Sequence, residues 1–152
     1  MKTYCFRRET LIPTSLDKAW DFFTSPLNLA KITPPDMNFV VTSDFKPKDK
    51  VYAGMIITYK VSPLFGIRMN WMTEITQVKE KEYFIDEQRF GPYALWHHQH
   101  HFKEVDSGVL MTDIVNYAIG WGFIGRIANS LVVAKKLEEV FDYREKVIGE
   151  MF

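Results

Sequence analysis

The four histidines of the chain all fall within the segment 96–102, which reads Trp-His-His-Gln-His-His-Phe. Turn-forming residues flank this segment on both sides, which favours a β-strand here over a helix. Alternate side chains of a strand share a face, so His98 and His100 lie together with the large apolar residues Trp96 and Phe102. This face is predicted to point to the interior, with the two histidines about 7 Å apart along the strand.

Acidic residues on the neighbouring strands are the natural partners of these imidazoles. A tight turn before the histidine strand brings Asp86 opposite His98, with Gln88 close by on the same preceding strand. A carboxylate beside a buried imidazole satisfies its N–H group and raises its pKa. Asp113 lies on the following strand, and counting residues through the loop 106–108 predicts that it faces away unless that loop carries a bulge.

Three interpretations of this constellation stay open. It is a hydrogen-bonded structural network, since buried polar groups must be paired. It is the polar end of an apolar pocket, positioning a carbonyl or carboxylate of a ligand. Or it performs acid–base or metal chemistry, in which His98 or His100 moves protons and Asp86 orients them. Because no helical His-x-x-x-His pair supports a metal site, we expect neither a metal nor a cofactor.

Periodic patterns along the chain predict the elements that position these residues. Residues 3–12 alternate as a strand that ends at Pro13, and Thr14 or Ser15 then caps a short helix. Residues 27–32 form one more helical turn. Short turns then separate six further segments, which predicts antiparallel hairpins. The predicted strands are 37–45, 51–62, 66–78, 82–90, 94–105 and 109–118.

A long amphipathic helix is predicted over residues 123–149. Its apolar stripe consists of Ile124, Ile127, Leu131, Ala134, Leu137, Phe141 and Ile148. Such a stripe needs an apolar surface to cover it, and the sheet is the surface that the pattern offers. The predicted fold is therefore α+β: a curved seven-stranded antiparallel sheet in a helix grip around the long C-terminal helix, with two short helices after the first strand. Residues 1–152 are expected to form one domain.

Composition excludes several classes of function. The 19 basic and 19 acidic residues balance, which argues against the basic face of a nucleic-acid binder and against membrane attachment by charge. Three glycines and Arg126 interrupt the most apolar stretch, 117–134, so it is a poor membrane span. The single cysteine, Cys5, excludes a disulfide within the chain and favours a reducing compartment. We therefore expect a cytoplasmic protein.

The stretch between Phe84 and Tyr117 carries a resemblance. The residues that carry it are Asp86, Gln88, Gly91-Pro92-Tyr93, Trp96, His98, His100, Phe102, Asp113 and Tyr117. Together with the order of elements, they resemble a bacterial ligand-binding or cyclase/dehydrase-like subgroup of the SRPBCC superfamily, also called START-like or Bet v 1-like. The resemblance implies a hydrophobic cavity. Relatives bind lipids, sterols, polyketides or plant hormones, some are cyclases or hydroxylases, and similar domains are fused to nucleotide-sugar-epimerase-like proteins.

The leading hypothesis is a non-enzymatic binder or carrier of a small hydrophobic molecule such as a lipid or polyketide. The alternatives are an enzyme of the cyclase or dehydratase kind and a protein-interaction module with a closed cavity, with a reductase- or epimerase-like partner. Arg144 lies on the apolar stripe of the last helix and is interpreted as a structural ion pair. The predicted ligand-binding residues are Trp71, Phe84, Asp86, Gln88, Trp96, His98, His100, Tyr117, Arg126 and Leu131.

Overall fold

The computed structural model describes residues 1–120 and 132–152 of the chain. Seven antiparallel strands form one curved sheet in the order β1-β7-β6-β5-β4-β3-β2. Strand β1, from the start of the chain, pairs with β7, the last strand, and the strands between follow one another as neighbours. The predicted sheet is confirmed. Its strands are β1 Tyr4–Ile12, β2 Val40–Val41, β3 Ile56–Val61, β4 Met69–Lys79, β5 Tyr83–Phe90, β6 Leu95–Val105 and β7 Gly108–Ala118.

Short helices connect β1 to β2. Helix α1 spans Leu16–Phe23, and the hydroxyl of Ser15 caps it by accepting the N–H of Lys18 at 3.4 Å. Two 3-10 helices follow, Pro26–Ile32 and Pro35–Met37. Helix α1 and the first 3-10 helix are the predicted pair of short helices. The second 3-10 helix is an additional turn.

The C-terminal helix α2 spans Ala134–Met151 and presents Leu137, Phe141 and Ile148 to the interior. The first part of the predicted helix, 123–131, lies outside the described residues, and the helix ends two residues later than predicted. Within the described part of the chain, no helix is long and apolar enough to cross a membrane.

Strands β2 and β3 are shorter than predicted. The segment predicted as a strand from residue 37 pairs only at Val40–Val41, because Asn38 adopts a left-handed conformation with φ 47°. The amides of Thr42 and Ser43 then both donate to the carbonyl of Thr58, which ends the regular ladder. Residues 51–55 stay outside β3, since the N–H of Met55 bonds to the carbonyl of Tyr52 in a turn.

The β6–β7 hairpin places Asp113 on the inner face. Its turn has two residues, because Gly108 belongs to β7 and pairs with Val105. In this register His100 stands directly opposite Asp113. The prediction that Asp113 would need a bulge to reach the histidine face is therefore wrong: it counted three loop residues, and the change of one reverses every side chain of the strand.

Two groups of buried apolar residues pack between the sheet and the helices. The first apolar cluster joins α1 to the sheet and contains Ile12, Ala19, Trp20, Ile32, Met55, Ile57, Ile75, Phe84, Phe102, Val109, Met111 and Ile148. The second apolar cluster lies between α2 and the sheet and contains Val115, Tyr117, Val133, Leu137 and Phe141. Helix α2 contributes to both clusters, so its position on the sheet is fixed at two points.

We predict that Gly108→Ala destabilises the protein, whereas Gly149→Ala does not. Gly108 has φ +137°, and a Cβ atom there would lie 2.2 Å from the carbonyl oxygen of Ile12. The substitution should lower the free energy of unfolding by about 2 kcal/mol or more, through strain and backbone displacement. A Cβ atom added at Gly149 would meet nothing within 4 Å, and alanine favours a helix, so this control should be neutral or stabilising. Urea unfolding compares the two, and equal stabilities would contradict the register argument.

Candidate functional site

Five ionisable side chains lie side by side in the interior, and we call them the polar layer: Asp86, His98, His100, Asp113 and Arg144. The layer separates the two apolar clusters. On β7, Asp113 lies between Met111 of the first cluster and Val115 of the second. On α2, Arg144 follows Phe141 of the second cluster by one turn. Charged groups thus occupy the level at which a continuous apolar core would otherwise run.

Strand register brings the four sheet residues of the polar layer together. Asp86 of β5 stands opposite His98 of β6, as predicted. His100 of β6 stands opposite Asp113 of β7. Residues opposite one another on an antiparallel sheet share a face and are within side-chain reach. Arg144 completes the layer from the helix that covers this face.

The two imidazoles lean together and bridge the two carboxylates. Nε2 of His98 lies 2.7 Å from Oδ1 of Asp113, and Nε2 of His100 lies 2.8 Å from Oδ2 of Asp86. Nδ1 of His100 lies 3.0 Å from the same Asp113 oxygen, without the alignment of a hydrogen bond. The ring centroids are 3.7 Å apart, about half the distance expected along the strand. Each histidine therefore has a carboxylate partner, and both contact Asp113.

The surroundings separate the protonation behaviour of the two histidines. Burial lowers the pKa of His98, and the neighbouring His100 lowers it further. Burial alone would also lower the pKa of His100, but its contacts with Asp113 and Asp86 outweigh burial and raise that pKa above the ordinary value. The geometry therefore favours a charged His100 beside a neutral His98.

Asp113 is ionised, and Arg144 balances part of its charge. Burial by itself would raise the pKa of Asp113, but His100 and His98 hold it far below its usual range. Burial lowers the pKa of Arg144, and the two aspartates partly oppose that change. Nη1 of Arg144 is 3.9 Å from Oδ1 of Asp113, a long ion pair. A guanidinium keeps its charge at neutral pH even so.

Asp86, His98 and His100 together have the composition of a metal site. Each offers one ligand atom, and these atoms lie within 4.8 Å of one another. Two histidines and a carboxylate suit zinc or iron. In the geometry seen here, however, Nε2 of His100 is within hydrogen-bond distance of Asp86, so a cation would have to displace that proton. The expectation that the site holds no metal or cofactor stays a prediction.

A cavity of about 170 Å³ opens beside the polar layer, between the inner face of the sheet, the segment after α1, and α2. Its wall is mostly apolar and rich in aromatic rings, and three of them surround Trp71 at one end. The ring of Trp71 lies 5.4–5.8 Å from those of Tyr59, Tyr93 and Trp96. An apolar cavity of about 150 Å³ in another protein accepts benzene, so this cavity has room for a molecule of about one ring.

Six of the ten predicted ligand-binding residues line this cavity: Trp71, Phe84, Asp86, Trp96, His98 and His100. Gln88 does not. Its side chain instead bonds the backbone of Tyr93, with its amide donating to the carbonyl at 2.7 Å and its oxygen accepting the N–H at 3.2 Å. Tyr117 is buried in the second apolar cluster, stacked on Tyr4 at 5.5 Å. Arg126 and Leu131 lie outside the described residues.

Arg144 and Tyr59 line the cavity but were missing from the predicted ligand-binding set. Arg144 borders the cavity as well as approaching Asp113, so its interpretation as an ion pair covers only part of its surroundings. Tyr59 lines the cavity from β3, and its hydroxyl lies 3.1 Å from the hydroxyl of Thr73. Burial raises the pKa of Tyr59, so the phenol stays protonated. Strand alternation could have predicted that Tyr59 faces the interior, because it lies two residues from Ile57 and from Val61 on the inward face of β3.

No protein-family model and no curated protein matches the chain. Solved structures do match it. Protein Ms6760 from Mycobacterium smegmatis aligns with a TM-score of 0.68 and 17% identity over 99% of this chain and 92% of that chain. Ara h 8.0201 aligns with a TM-score of 0.63 and 12% identity over 98% and 99%. The nucleoside-diphosphate sugar epimerase from Corynebacterium glutamicum aligns with 0.64 and 21% over 95% of this chain and 28% of that one. These likenesses confirm the predicted Bet v 1-like, helix-grip fold.

We predict that Asp113→Asn lowers the free energy of unfolding at pH 7 by about 3 kcal/mol, because it leaves buried cationic partners without their anion. Asp142→Asn is the control, since Asp142 makes an exposed ion pair with Arg8 that is worth less than about 1 kcal/mol. With its depressed pKa, Asp113 contributes stability above the unfolded-state value of about 4, and this is lost as pH falls further. Denaturant titrations measure the free energy of unfolding of both variants. Similar losses of stability in the two would contradict the conclusion that Asp113 neutralises the buried cations of the polar layer.

We also predict that His100 keeps its proton above pH 6.5, whereas His98 loses its proton below that value. Nitrogen-15 NMR titration of the imidazoles measures both, with His98→Gln and His100→Gln to assign the signals. The raised pKa of His100 contributes stability that is present below its unfolded-state pKa of about 6.5 and is lost as pH rises through the folded-state value. The stability difference between wild type and His100→Gln should therefore shrink from pH 6 to pH 9. Coincident titration of both histidines near 6.5 would contradict this assignment.

Proposed function

We propose that this helix-grip protein binds a small, largely apolar molecule in the cavity between its sheet and α2. The observation that carries the proposal is the cavity itself: about 170 Å³ of space with aromatic walls and a short charged stretch on one side. Binding sites for small molecules have this composition, with apolar walls and a few polar groups that fix orientation. Packing alone would favour filling such a space with side chains.

The size of the cavity favours a compact ring compound over a long-chain lipid. Flat aromatic walls offer stacking and edge contacts to a ring, and the Trp71–Trp96 pair is itself arranged edge to face, with an interplanar angle of 89°. A long acyl chain has a larger volume than this cavity provides. We therefore place small cyclic molecules, including short polyketide-like rings, ahead of lipids as ligands.

Acid–base catalysis on the bound molecule is the second candidate function. It is favoured by the His98–Asp113 pair, whose 2.7 Å contact joins a cavity-lining imidazole to a buried carboxylate. A histidine oriented in this way is a general base in many enzymes. If a molecule that co-purifies with the protein were converted to a product by wild type but not by His98→Gln, catalysis would replace binding as the leading proposal.

We further propose a cytoplasmic location and an enzyme partner. A chain whose one cysteine, Cys5, is exposed and free gains nothing from an oxidising compartment. Support for a partner comes from the solved epimerase, in which the matching region is 28% of a longer chain. In this proposal the protein would deliver its ligand to, or receive it from, a reductase- or epimerase-like enzyme.

Native mass spectrometry of protein purified from the cells that produce it tests the binding proposal. We expect a bound mass in wild type that corresponds to a compound of about one ring, because the cavity has room for a molecule of that size. Val61→Phe should lose this adduct, because Val61 lines the cavity and the larger ring enters it. Val40→Phe is the matched control, since Val40 is half exposed on the neighbouring strand and outside the cavity wall.

Circular dichroism establishes that the variants are folded before they are compared. If Val61→Phe does not fold, Val140→Phe blocks the cavity from α2 instead. An adduct that survives in a folded blocking variant would contradict the proposal, because the molecule would then lie elsewhere. Absence of any adduct in wild type, together with no binding of added single-ring compounds, would also contradict it.

A further inference from the structure

Besides Nδ1 of His100, which faces Asp113 at 3.0 Å, two further hydrogen-bond donors that line the cavity have no acceptor within the described parts of the chain. The first is Nε of Arg144, whose side chain is 9% exposed. The second is Nε1 of Trp71, a residue that is 6% exposed. Both residues contribute to the cavity wall. Buried donors are nearly always paired in native proteins, so this pair of unsatisfied groups in one wall calls for acceptors from the molecule that fills the cavity.

Among residues 1–120 and 132–152, the guanidinium of Arg144 makes contacts that hold it in place but no short hydrogen bond. Its central carbon lies 4.7 Å from the ring centroid of Phe141, which precedes it by one helical turn. Its contact with Asp113, at 3.9 Å, is longer than a hydrogen bond. A guanidinium has five N–H donors in one plane. Contact with Phe141 thus positions the group while leaving N–H groups available to an acceptor in the cavity.

The charges of the polar layer decide which kind of acceptor fits. Asp86 and Asp113 already bring two carboxylates to this region, and Arg144 is the permanent cation of the layer. Lys136, elsewhere in the cavity wall, is paired with Asp36 at 2.7 Å. A ligand carboxylate would be a third negative charge beside the layer, where the dielectric constant is low and like charges repel strongly. A carbonyl oxygen accepts the same hydrogen bonds and adds no net charge, so the wall suits a neutral acceptor.

We infer, on the basis of the proposed function, that the bound molecule is a neutral ring compound whose carbonyl groups accept hydrogen bonds from Arg144 and Trp71. This assigns a ligand class, such as aryl ketones, quinones or lactones, to a cavity whose size alone would also admit a hydrocarbon. Arg144 and Trp71 are then specificity-determining residues: they select a carbonyl compound over an apolar molecule of the same shape.

Isothermal titration calorimetry at pH 7 with three single-ring probes tests this inference. Acetophenone carries a neutral carbonyl, α-methylstyrene replaces that oxygen with a methylene group at nearly constant shape, and benzoate carries an anion. We expect wild type to bind acetophenone about tenfold more tightly than α-methylstyrene, as for a hydrogen bond to a charged donor. Benzoate should bind no more tightly than α-methylstyrene.

Variants locate the preference within the cavity wall. Arg144→Met keeps the apolar stem and removes all donors, so it should reduce the acetophenone preference to about twofold or less. Trp71→Phe removes one neutral donor and should reduce the preference about threefold. Two controls carry the same changes outside the cavity wall: Arg89→Met, at an exposed ion pair with Glu74, and Trp20→Phe, in the first apolar cluster. Both should keep the wild-type preference.

The outcomes separate this inference from the proposed function. Equal affinities for acetophenone and α-methylstyrene, with both lost in Val61→Phe, would overturn the carbonyl inference and leave cavity binding intact. Tighter binding of benzoate than of acetophenone would overturn the neutral class. Failure of all three probes to bind would overturn both proposals. If Arg144→Met does not fold, the Trp71→Phe and Trp20→Phe pair decides, since an unchanged preference in Trp71→Phe would overturn the role of its donor.

Discussion

The buried carboxylate of Asp113 is the constraint on which the interior of this protein depends. It is 1% exposed, and a charge at that depth is tolerated only with partners close by. His98 and His100 supply those partners from β6, and Arg144 supplies a cation from α2. Neutralising one side chain therefore ties together two strands and the covering helix. The register of the sheet and the position of α2 therefore both depend on the same set of electrostatic contacts.

The same arrangement accounts for the cavity. Apolar side chains from the sheet and the helix pack into two clusters, on either side of the polar layer. If further apolar side chains covered the polar layer, its remaining N–H groups would be buried without a hydrogen-bond acceptor. That burial would cost free energy. The space beside Arg144 and His98 is thus more compatible with a bound molecule that has a polar group than with an additional apolar side chain. Binding and catalysis are the two functions proposed for this geometry, and they differ in whether a proton moves between His98 and the bound molecule.

Much of this arrangement could be predicted from the sequence, because strand alternation is a strong signal. Period-two spacing predicted the inward face of residues 96–102. One tight turn then predicted that Asp86 stands opposite His98 in the sheet. The position of Asp113 did not follow, since parity depends on whether Gly108 belongs to the turn or to the strand. Gly108 lies against Ile12 of β1, a long-range contact that a local pattern does not contain. Arg144 was placed on the correct helix face, but the availability of its donors depends on its distance from Asp113, which only packing determines.

A crystal structure of the protein soaked with acetophenone would show whether a small molecule enters between the sheet and α2 and how it is oriented. We expect the ring to lie against Trp71 and Trp96, with the carbonyl oxygen within hydrogen-bond distance of the Arg144 guanidinium. A cavity closed by its own side chains, or a guest seated with its oxygen turned away from Arg144 and Trp71, would contradict this expectation.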